Sequence, residues 1–556
     1  MDVLKCSILA ALEAFVITTI AGHRHINGFT GVKTGSILFA IQYLLLKYYR
    51  IFLYHKYFSP LRHIPGPTDG HFFFGQSIKL LRAETPNSLY LKWVREHPDA
   101  PLIRYLSFAN AEVLVPTSVE TCKEILQTQC YSFKKPPGWR RMTKEIAGDG
   151  VIIMEFDQHR IHRKMLNSSF SLPNIRKLEP LFKSKAMEVG QVFDQAIAAN
   201  ASGKTGVVNC TECLSKATLD IMGMTILGTD LGNLRTTMLD SSSKDDHDED
   251  ASFGFHKAYH TIFEQGKLGQ FLTFASVYIP TRWLPLQANR NYLHAASWLD
   301  NYLTQLVRRR YAEVRAAMDS GKYERSSSRD LLTFLIEESA PGAPAENIKE
   351  SEVVGHLLQF MIAGHETSAN MLCWSLYIMA EQPDIQSKLR AELMGIDGDP
   401  VFSDLDKLPY LDNFVKESLR AYPPANIMLV IIIPRETAHA LTLADVRVPA
   451  RTALDVVCAV LMQHPGIWGP DAGAADPDRW DRLAADQLSP YAFAAFSHGP
   501  RICPGKALAT MEIKIMLALI VRRFRVVGVE KGFRVQNPAF SLRPVGLRVR
   551  FERVGV

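Results

Sequence analysis

A chain of 556 residues is long enough for several average domains or for one large single-core enzyme. Its formal charge of +6, with basic and acidic residues interleaved rather than blocked, does not suggest a nucleic-acid-binding protein. The eight cysteines lack framework spacing, which argues against a disulfide-stapled fold and suits a reducing compartment; Cys210 and Cys213 form a CxxC, but no second pair or histidine doublet completes a zinc site.

Residues 1–62 stand apart in composition. Positions 36–46 are uncharged and strongly apolar, and the apolar character continues to Tyr54 with Lys47, Arg50, Lys56 and Arg62 interspersed or following. A spanning helix needs about 20 apolar residues, so this segment crosses a membrane if its basic side chains snorkel to the headgroups. Flanking basic and aromatic residues suit a cytoplasmic membrane face. Residues 7–22 form a weaker apolar stretch containing Glu13, either a second span or an amphipathic segment on the surface. The arm thus reads as an N-terminal membrane anchor of one or two apolar segments, and residues 63–556 as one folded domain. His63-Ile-Pro-Gly-Pro67 joins them, stiff enough to aim the body.

Residues 102–106 and 111–115 read as a β-hairpin, with a helix from Thr117 to about Thr128 behind it. His159 and Arg163 lie four apart, so they share a helical face and can hold carboxylates together. From about 176 to 318 the pattern is mostly helical, broken by a polar insert at 240–250 that reads as a loop. Residues 321–329 are similarly loose. Phe271, Leu272, Phe274, Val277 and Ile279 suit core packing or an apolar, membrane-facing roof.

Residues 351–381 run without proline and are apolar nearly all round, which predicts a buried helix about 45 Å long. Into it the chain sets Ala363-Gly-His-Glu-Thr-Ser368. An acid and a hydroxyl inside an apolar helix are costly without a partner or a task. Gly364 weakens the helix there, and Thr367 can bond the carbonyl four residues back and open a groove. Farther on, Glu417 and Arg420 lie three apart on a predicted helix, and Pro434-Arg-Glu-Thr and Pro477-Asp-Arg-Trp480 supply Arg435 and Arg479.

Phe496-Ser-His-Gly-Pro-Arg-Ile-Cys-Pro-Gly-Lys-Ala507 reads FxxGxRxCxG with every fixed position filled. Cys503 sits between Gly499 and Gly505, ahead of a helix predicted from about Lys506 to Ile520. The helix N-terminus, Arg501 and Lys506 are expected to lower its pKa. A thiolate on a rigid loop can be one axial ligand of haem iron, and glycines leave room for a flat macrocycle. The tail, 533–551, alternates Val, Leu and Arg and reads as a final β-hairpin.

The cysteine window closely resembles the haem-binding loop of the cytochrome P450 family, and three further segments match that family in order. The resemblance covers nearly everything from Pro65 onward. It implies a mainly α fold with a small β region, preceded here by an N-terminal membrane helix, and a haem-thiolate monooxygenase. Cys503 is then the axial ligand of haem b. By the same resemblance Arg501, Arg435, His159 and Arg163 face the haem propionates, and Phe496 and Gly505 belong to the cofactor loop. Glu366 and Thr367 organise water and deliver protons for oxygen-oxygen cleavage. Glu417, Arg420 and Arg479 form a structural triad that locks the cysteine loop. Asp478 stands where the family usually has glutamate and Ala475 where it often has an aromatic, which bears on local packing.

No flavin or nicotinamide motif occupies the carboxyl end. The family resemblance therefore implies electrons from NADPH through a separate NADPH-cytochrome P450 reductase, with cytochrome b5 as a second donor, docking on a basic face that includes Lys164, Arg163, Lys506 and Lys514. It also implies the endoplasmic reticulum membrane with the catalytic domain toward the cytoplasm. The expected substrate is a lipophilic small molecule, and resemblance to fungal members points to terpenoid or polyketide skeletons of secondary metabolism. Fatty-acid hydroxylation stays open. Two rivals differ in kind: an electron-independent haem-thiolate isomerase or lyase, disfavoured by the Glu366-Thr367 pair, and a non-catalytic haem-binding sensor.

Overall fold

The computed structural model describes residues 2–20, 28–235, 254–263, 265–277, 279–320, 330–339, 348–424, 433–483, 489–537 and 541–555. The polar insert 240–250, the linker 321–329, the side chain of Phe274 and the tip of the tail at 538–540 lie outside the described residues.

The arm is a helical hairpin. Helix α1 (Asp2–Ile20) packs on α2 (Gly28–Tyr48), and α2 continues as a π-helical run, Tyr49–Phe58. Small residues set the contact: Cys6, Ala10 and Ala14 are buried, and a Cβ on Gly35 would lie 3.7 Å from that of Ala14. Among the described residues one helical run, Gly31–Phe58, is by itself long and apolar enough to cross a membrane, with mean hydropathy 1.3 and no part buried in the protein.

The arm then grips the body. Asn110 Nδ2 donates to the Ile51 carbonyl at 2.9 Å and Arg104 donates to the His55 carbonyl at 2.8 Å. Ser59 Oγ donates to Glu112 at 2.6 Å, and Leu61 is buried in an apolar cluster of the body. At Pro65-Gly-Pro67 the chain lies flat on the sheet: Arg104 N–H donates to the Pro65 carbonyl at 2.8 Å, and a Cβ on Gly66 would come within 1.9 Å of the Arg104 carbonyl oxygen. Glycine is required there by contact rather than by turn geometry.

The predicted hairpin is present as β1 (Leu102–Leu106) and β2 (Glu112–Pro116), antiparallel, with Leu102 opposite Pro116. It belongs to a five-stranded sheet of order β1-β2-β6-β5-β3, completed by β3 (Phe133–Lys134), β5 (Ile433–Thr437) and β6 (Ala453–Val456). Behind the hairpin, Ser118 Oγ accepts from Thr121 N–H and caps a helix that passes into a π turn ending at Thr128.

The rest is mainly helical. After α3 (Pro137–Ala147) and α4 (Phe156–Asn167), strand β4 (Thr205–Asn209) leads into α5 (Cys210–Met222). The roof region contributes α6 (Phe255–Phe263), α7 (Lys267–Ala275) and α8 (Gln287–Asp319). The central helix, α9 (Glu350–Glu381), is the predicted one, opened by Glu352 accepting from the Lys349 N–H at 3.0 Å and ended before Pro383. Its Leu357, Met361, Met371, Leu372 and Leu376 are wholly buried in one large core shared with α5, α10 (Pro409–Ala421) and α11 (Lys506–Arg523). That burial on every side is why α9 lacks a polar face.

The tail departs from its reading as one hairpin. Only Arg534–Val535 and Pro544–Val545 pair as a hairpin. Residues 548–553 form β8, the middle of an antiparallel sheet β4-β8-β7 with β7 (Phe524–Val529). The alternation explains the division: Val549 and Phe551 bury one face, where Phe551 stacks on Phe193 at 4.1 Å, and the intervening arginines stay outside.

Candidate active site

Helices α3, α4 and α9, strand β5 and the loop before α11 enclose a cavity of about 380 Å³. Cys503, Phe496, Gly505 and Arg501 from the loop line it, as do Glu366 and Thr367 from α9, His159 and Arg163 from α4, and Arg435 from β5. Every catalytic or cofactor residue expected from sequence therefore faces one space.

Backbone constraints fix the cysteine loop. Gly499 has φ 71°, and a Cβ there would lie 2.1 Å from the Leu126 carbonyl oxygen. Cys503 N–H donates to the Phe496 carbonyl at 2.9 Å, closing the loop on itself. Burial raises the Cys503 thiol pKa, opposed by the Gly505 backbone and the charges of Arg163 and Lys506. This corrects the expectation of a lowered thiol pKa in the protein alone: desolvation outweighs helix terminus and cations, and Arg163 takes the part assigned to Arg501.

Arg501 is engaged elsewhere. Its guanidinium pairs with Glu155 and donates to the Met154 carbonyl at 3.1 Å. Glu155 also accepts from Lys135, from the backbone N–H at 2.8 Å and from Nζ at 3.2 Å. Lys135, Arg435 and Arg501 thus meet at one edge of the cavity beside a single carboxylate. Burial and then the charge of Arg501 push down the pKa values of both Lys135 and Arg435. His159 is pushed down to about 3 by burial and by the neighbouring cations, so it is neutral and shares a hydrogen bond with the Tyr131 hydroxyl at 3.1 Å. The Nε atoms of Arg435 and Arg501 are buried without a partner among the described residues. Lys135 and Glu155 were not singled out from sequence, since an isolated lysine and glutamate twenty positions apart carry no spacing signal.

On α9, Thr367 Oγ1 donates to the Ala363 carbonyl at 2.7 Å, the predicted back-bond. Glu366 accepts from Ser541 Oγ at 2.7 Å, and Ser541 Oγ accepts from Asn370 Nδ2 at 2.7 Å. Ser368 Oγ donates to Glu512 at 2.9 Å, and burial drives the Glu512 carboxyl up to about 8. Ser541 and Glu512 are further residues that sequence did not reveal.

Beneath the loop, Glu417 collects donors. Arg420 grips it with two bonds of 2.8 Å and spends its remaining N–H groups on the carbonyls of Met462, Ala472 and Ala474. Arg479 Nε reaches Glu417 at 3.4 Å, and the Trp480 indole and Asp476 backbone N–H donate to it at 2.9 and 2.8 Å. The three triad residues meet, and Trp480 joins them. Asp478 turns outward to Lys388 at 2.6 Å.

Two members of the expected docking face lie elsewhere. Lys514 is buried between Asp406 and Asp412, at 2.9 and 3.0 Å, and Arg163 lines the cavity; Lys164 and Lys506 are exposed. Of the roof residues, Phe271 and Ile279 are exposed while Leu272 is buried.

Residues 65–551 match the family model described as Cytochrome P450. The chain belongs to the cytochrome P450 family, and with it to the haem-thiolate monooxygenases. Similar proteins include "Cytochrome P450 monooxygenase sphH" of Aspergillus fumigatus, 28% identical over 86% of this chain and 85% of that one. "Cytochrome P450 monooxygenase FUM15" of Gibberella moniliformis is 27% identical over 95% and 96%, and "Cytochrome P450 monooxygenase 205" of Postia placenta 28% over 84% and 86%.

Proposed function

We propose that this monooxygenase places one oxygen atom from O2 on a lipophilic small molecule, a terpenoid or polyketide skeleton of fungal secondary metabolism, using haem b and electrons from NADPH through a separate reductase. The observation that carries this reading is the single cavity shared by Cys503, the cationic edge and the Glu366-Thr367 step in α9. Haem suits that cavity on the chemistry of its walls. The unpartnered Nε atoms of Arg435 and Arg501, and the excess of cations over Glu155, call for an anionic edge such as two propionates. Cys503 supplies a sulfur ligand, and Gly505 leaves open space beside it, since a Cβ there would approach nothing closer than the Cys503 Sγ at 3.9 Å.

Haem bound there supplies dioxygen activation, with thiolate electron donation favouring oxygen-oxygen cleavage. The chain's own residues do the rest. Arg501, Arg435, Lys135, Arg163 and neutral His159 hold and orient the anionic edge. Thr367 keeps its hydroxyl at the cavity wall by bonding back to Ala363, and Glu366, held by Ser541, is the acid that would move a proton there. Glu417, Arg420 and Arg479 lock the peptide below the cysteine loop. Apolar walls from Ile152, Phe170, Met222, Phe263 and Phe360 exclude water and select a lipophilic guest. Lys164 and Lys506 contribute to a basic surface for the reductase or cytochrome b5, and α2 anchors the catalytic domain on the cytoplasmic face of the endoplasmic reticulum.

The test is the carbon monoxide difference spectrum of dithionite-reduced protein in membranes, followed by NADPH-dependent turnover of lipophilic candidates with reductase present. A red-shifted thiolate-type Soret band and reductase-dependent product are the expected results. A histidine-type band in well-folded protein overturns the ligand assignment, and product formed without NADPH overturns the monooxygenase reading in favour of an isomerase.

A further inference from the structure

We propose that α1 crosses the membrane together with α2, as a two-helix hairpin whose two ends lie on the side of the catalytic body and whose connecting residues, 21–27, lie in the opposite compartment. The proposal rests on the reading of α2 as a span. The length of α1 allows it: 19 residues rise about 28 Å, close to a hydrocarbon core of about 30 Å.

The distribution of side chains around the helix argues against a segment lying on the surface. An interfacial helix has one strongly polar face. On α1 the side turned to α2 is small and apolar, with Ala10 and Ala14 buried, while Leu4, Leu12 and Phe15 on the outer side are 64%, 59% and 67% exposed. The outer side of α2 continues this surface, with Val32 and Leu44 at 70% and 66%. Both helices thus turn apolar side chains away from the protein, and a bilayer covers such a shell on all sides at once.

The acid within α1 points to the same arrangement. A lone carboxyl at membrane depth is expensive, and such groups face a neighbouring helix. Glu13 does so: Gln42 Nε2, on α2, donates to Glu13 Oε2 at 2.5 Å. A glutamine that would weaken α2 as a solitary span and a glutamate that would weaken α1 meet between the two through that one bond, which leaves Gln42 Oε1 buried without a partner among the described residues. Flanking charge agrees. Lys5, Lys47, Arg50, Lys56 and Arg62 fall at the end of the hairpin nearest the body, against Arg24 and Lys33 at the other end, as the positive-inside bias requires.

The experiment uses full-length protein in sealed microsomes, with an epitope tag at the amino end and a spacer-flanked glycosylation acceptor inserted between Arg24 and His25. Glycosylation of the connecting residues, with the tag cut by external protease, is the expected result. A glycosylated, carbonate-resistant chain with a protected tag means that α2 spans alone, with α1 beyond the membrane, and overturns the hairpin. An unglycosylated chain whose tag is cut overturns it together with the reading of α2 as a span, since neither helix has then carried residues 21–27 across. Gln42→Leu should lower the ratio of cut to protected tag among glycosylated chains about threefold, the effect of one average interhelical hydrogen bond in a membrane, and Glu13→Gln should preserve it. An unchanged ratio in Gln42→Leu would overturn the role of the pair.

Discussion

The floor and the roof of the cavity are built on different physics. On the floor, Glu417 is completely buried yet accepts from Arg420, Arg479, Trp480 and a backbone N–H, and Arg420 satisfies three carbonyls besides. Directional bonds over-determine each position, so the peptide at 462–480 is held in one geometry. Over the roof, contacts are largely apolar, as where Phe170 meets Phe360 at 5.0 Å. Where α9 meets the segment after α3, Gln359 accepts from the Ile152 N–H at 2.8 Å and donates to the Gly148 carbonyl at 3.2 Å, and His356 accepts from the Val151 N–H at 3.2 Å. Dispersion and burial tolerate volume-conserving change, and a hydrogen-bonded ion cluster does not. The contrast separates a constant reaction from an adaptable substrate.

Substitutions sharpen that contrast. Cys503→Ala should abolish the thiolate-type carbon monoxide band altogether while leaving secondary structure intact by circular dichroism. Glu417→Ala strands the buried Arg420 charge and should cost about 3–5 kcal/mol, read as a lowered unfolding midpoint and loss of haem on purification. Thr367→Ala should retain haem and fold but divert NADPH electrons to hydrogen peroxide, measured as peroxide per NADPH consumed; unchanged coupling would remove Thr367 from proton handling.

Titration offers a milder probe. Glu512 holds its proton in the folded state up to about pH 8, whereas its ordinary value is 4.5, so the folded state binds more protons between those limits and the group's contribution to stability falls as pH rises through them. Glu512→Gln should therefore gain on the parent in thermal stability as pH rises from 5 to 8, and a constant difference would show that the carboxyl is already ionised. The smallest effect belongs to the roof: Ile152→Val should cost no more than about 1.5 kcal/mol of stability and appear chiefly as an altered ranking of substrates.

The same division governs what could be read in the sequence. Floor residues lie in short motifs, so Cys503, Glu417, Arg420 and Arg479 were legible through their resemblance to the motifs of the cytochrome P450 family, and the long α9 from its unbroken apolar run. Arg435 and His159 also fell where the motifs put them. What stayed hidden joins distant segments. Ser541 meets Glu366 across 175 positions and Ser368 meets Glu512 across 144, and no local pattern encodes such a pairing. Local charge misled in two places. Lys514 looked like surface because lysine usually is, yet Asp406 and Asp412 stabilise it in the interior. The Cys503 thiol looked acidified because desolvation is invisible in a list of neighbours.

The union of α2 with the body has an angular consequence. The helix passes without a break into the turn held by Asn110, Arg104 and Glu112, and Gly66 lies flat against Arg104. Each residue in a helix advances its azimuth by about 100°. One residue inserted in α2 above Tyr48 would therefore turn the catalytic body about the anchor axis relative to the lipid-facing stripe, whereas seven would return it nearly to phase. On the reading of α2 as a span, the number of its residues sets the azimuth of the catalytic body about the anchor axis, as well as how far the body stands from the bilayer.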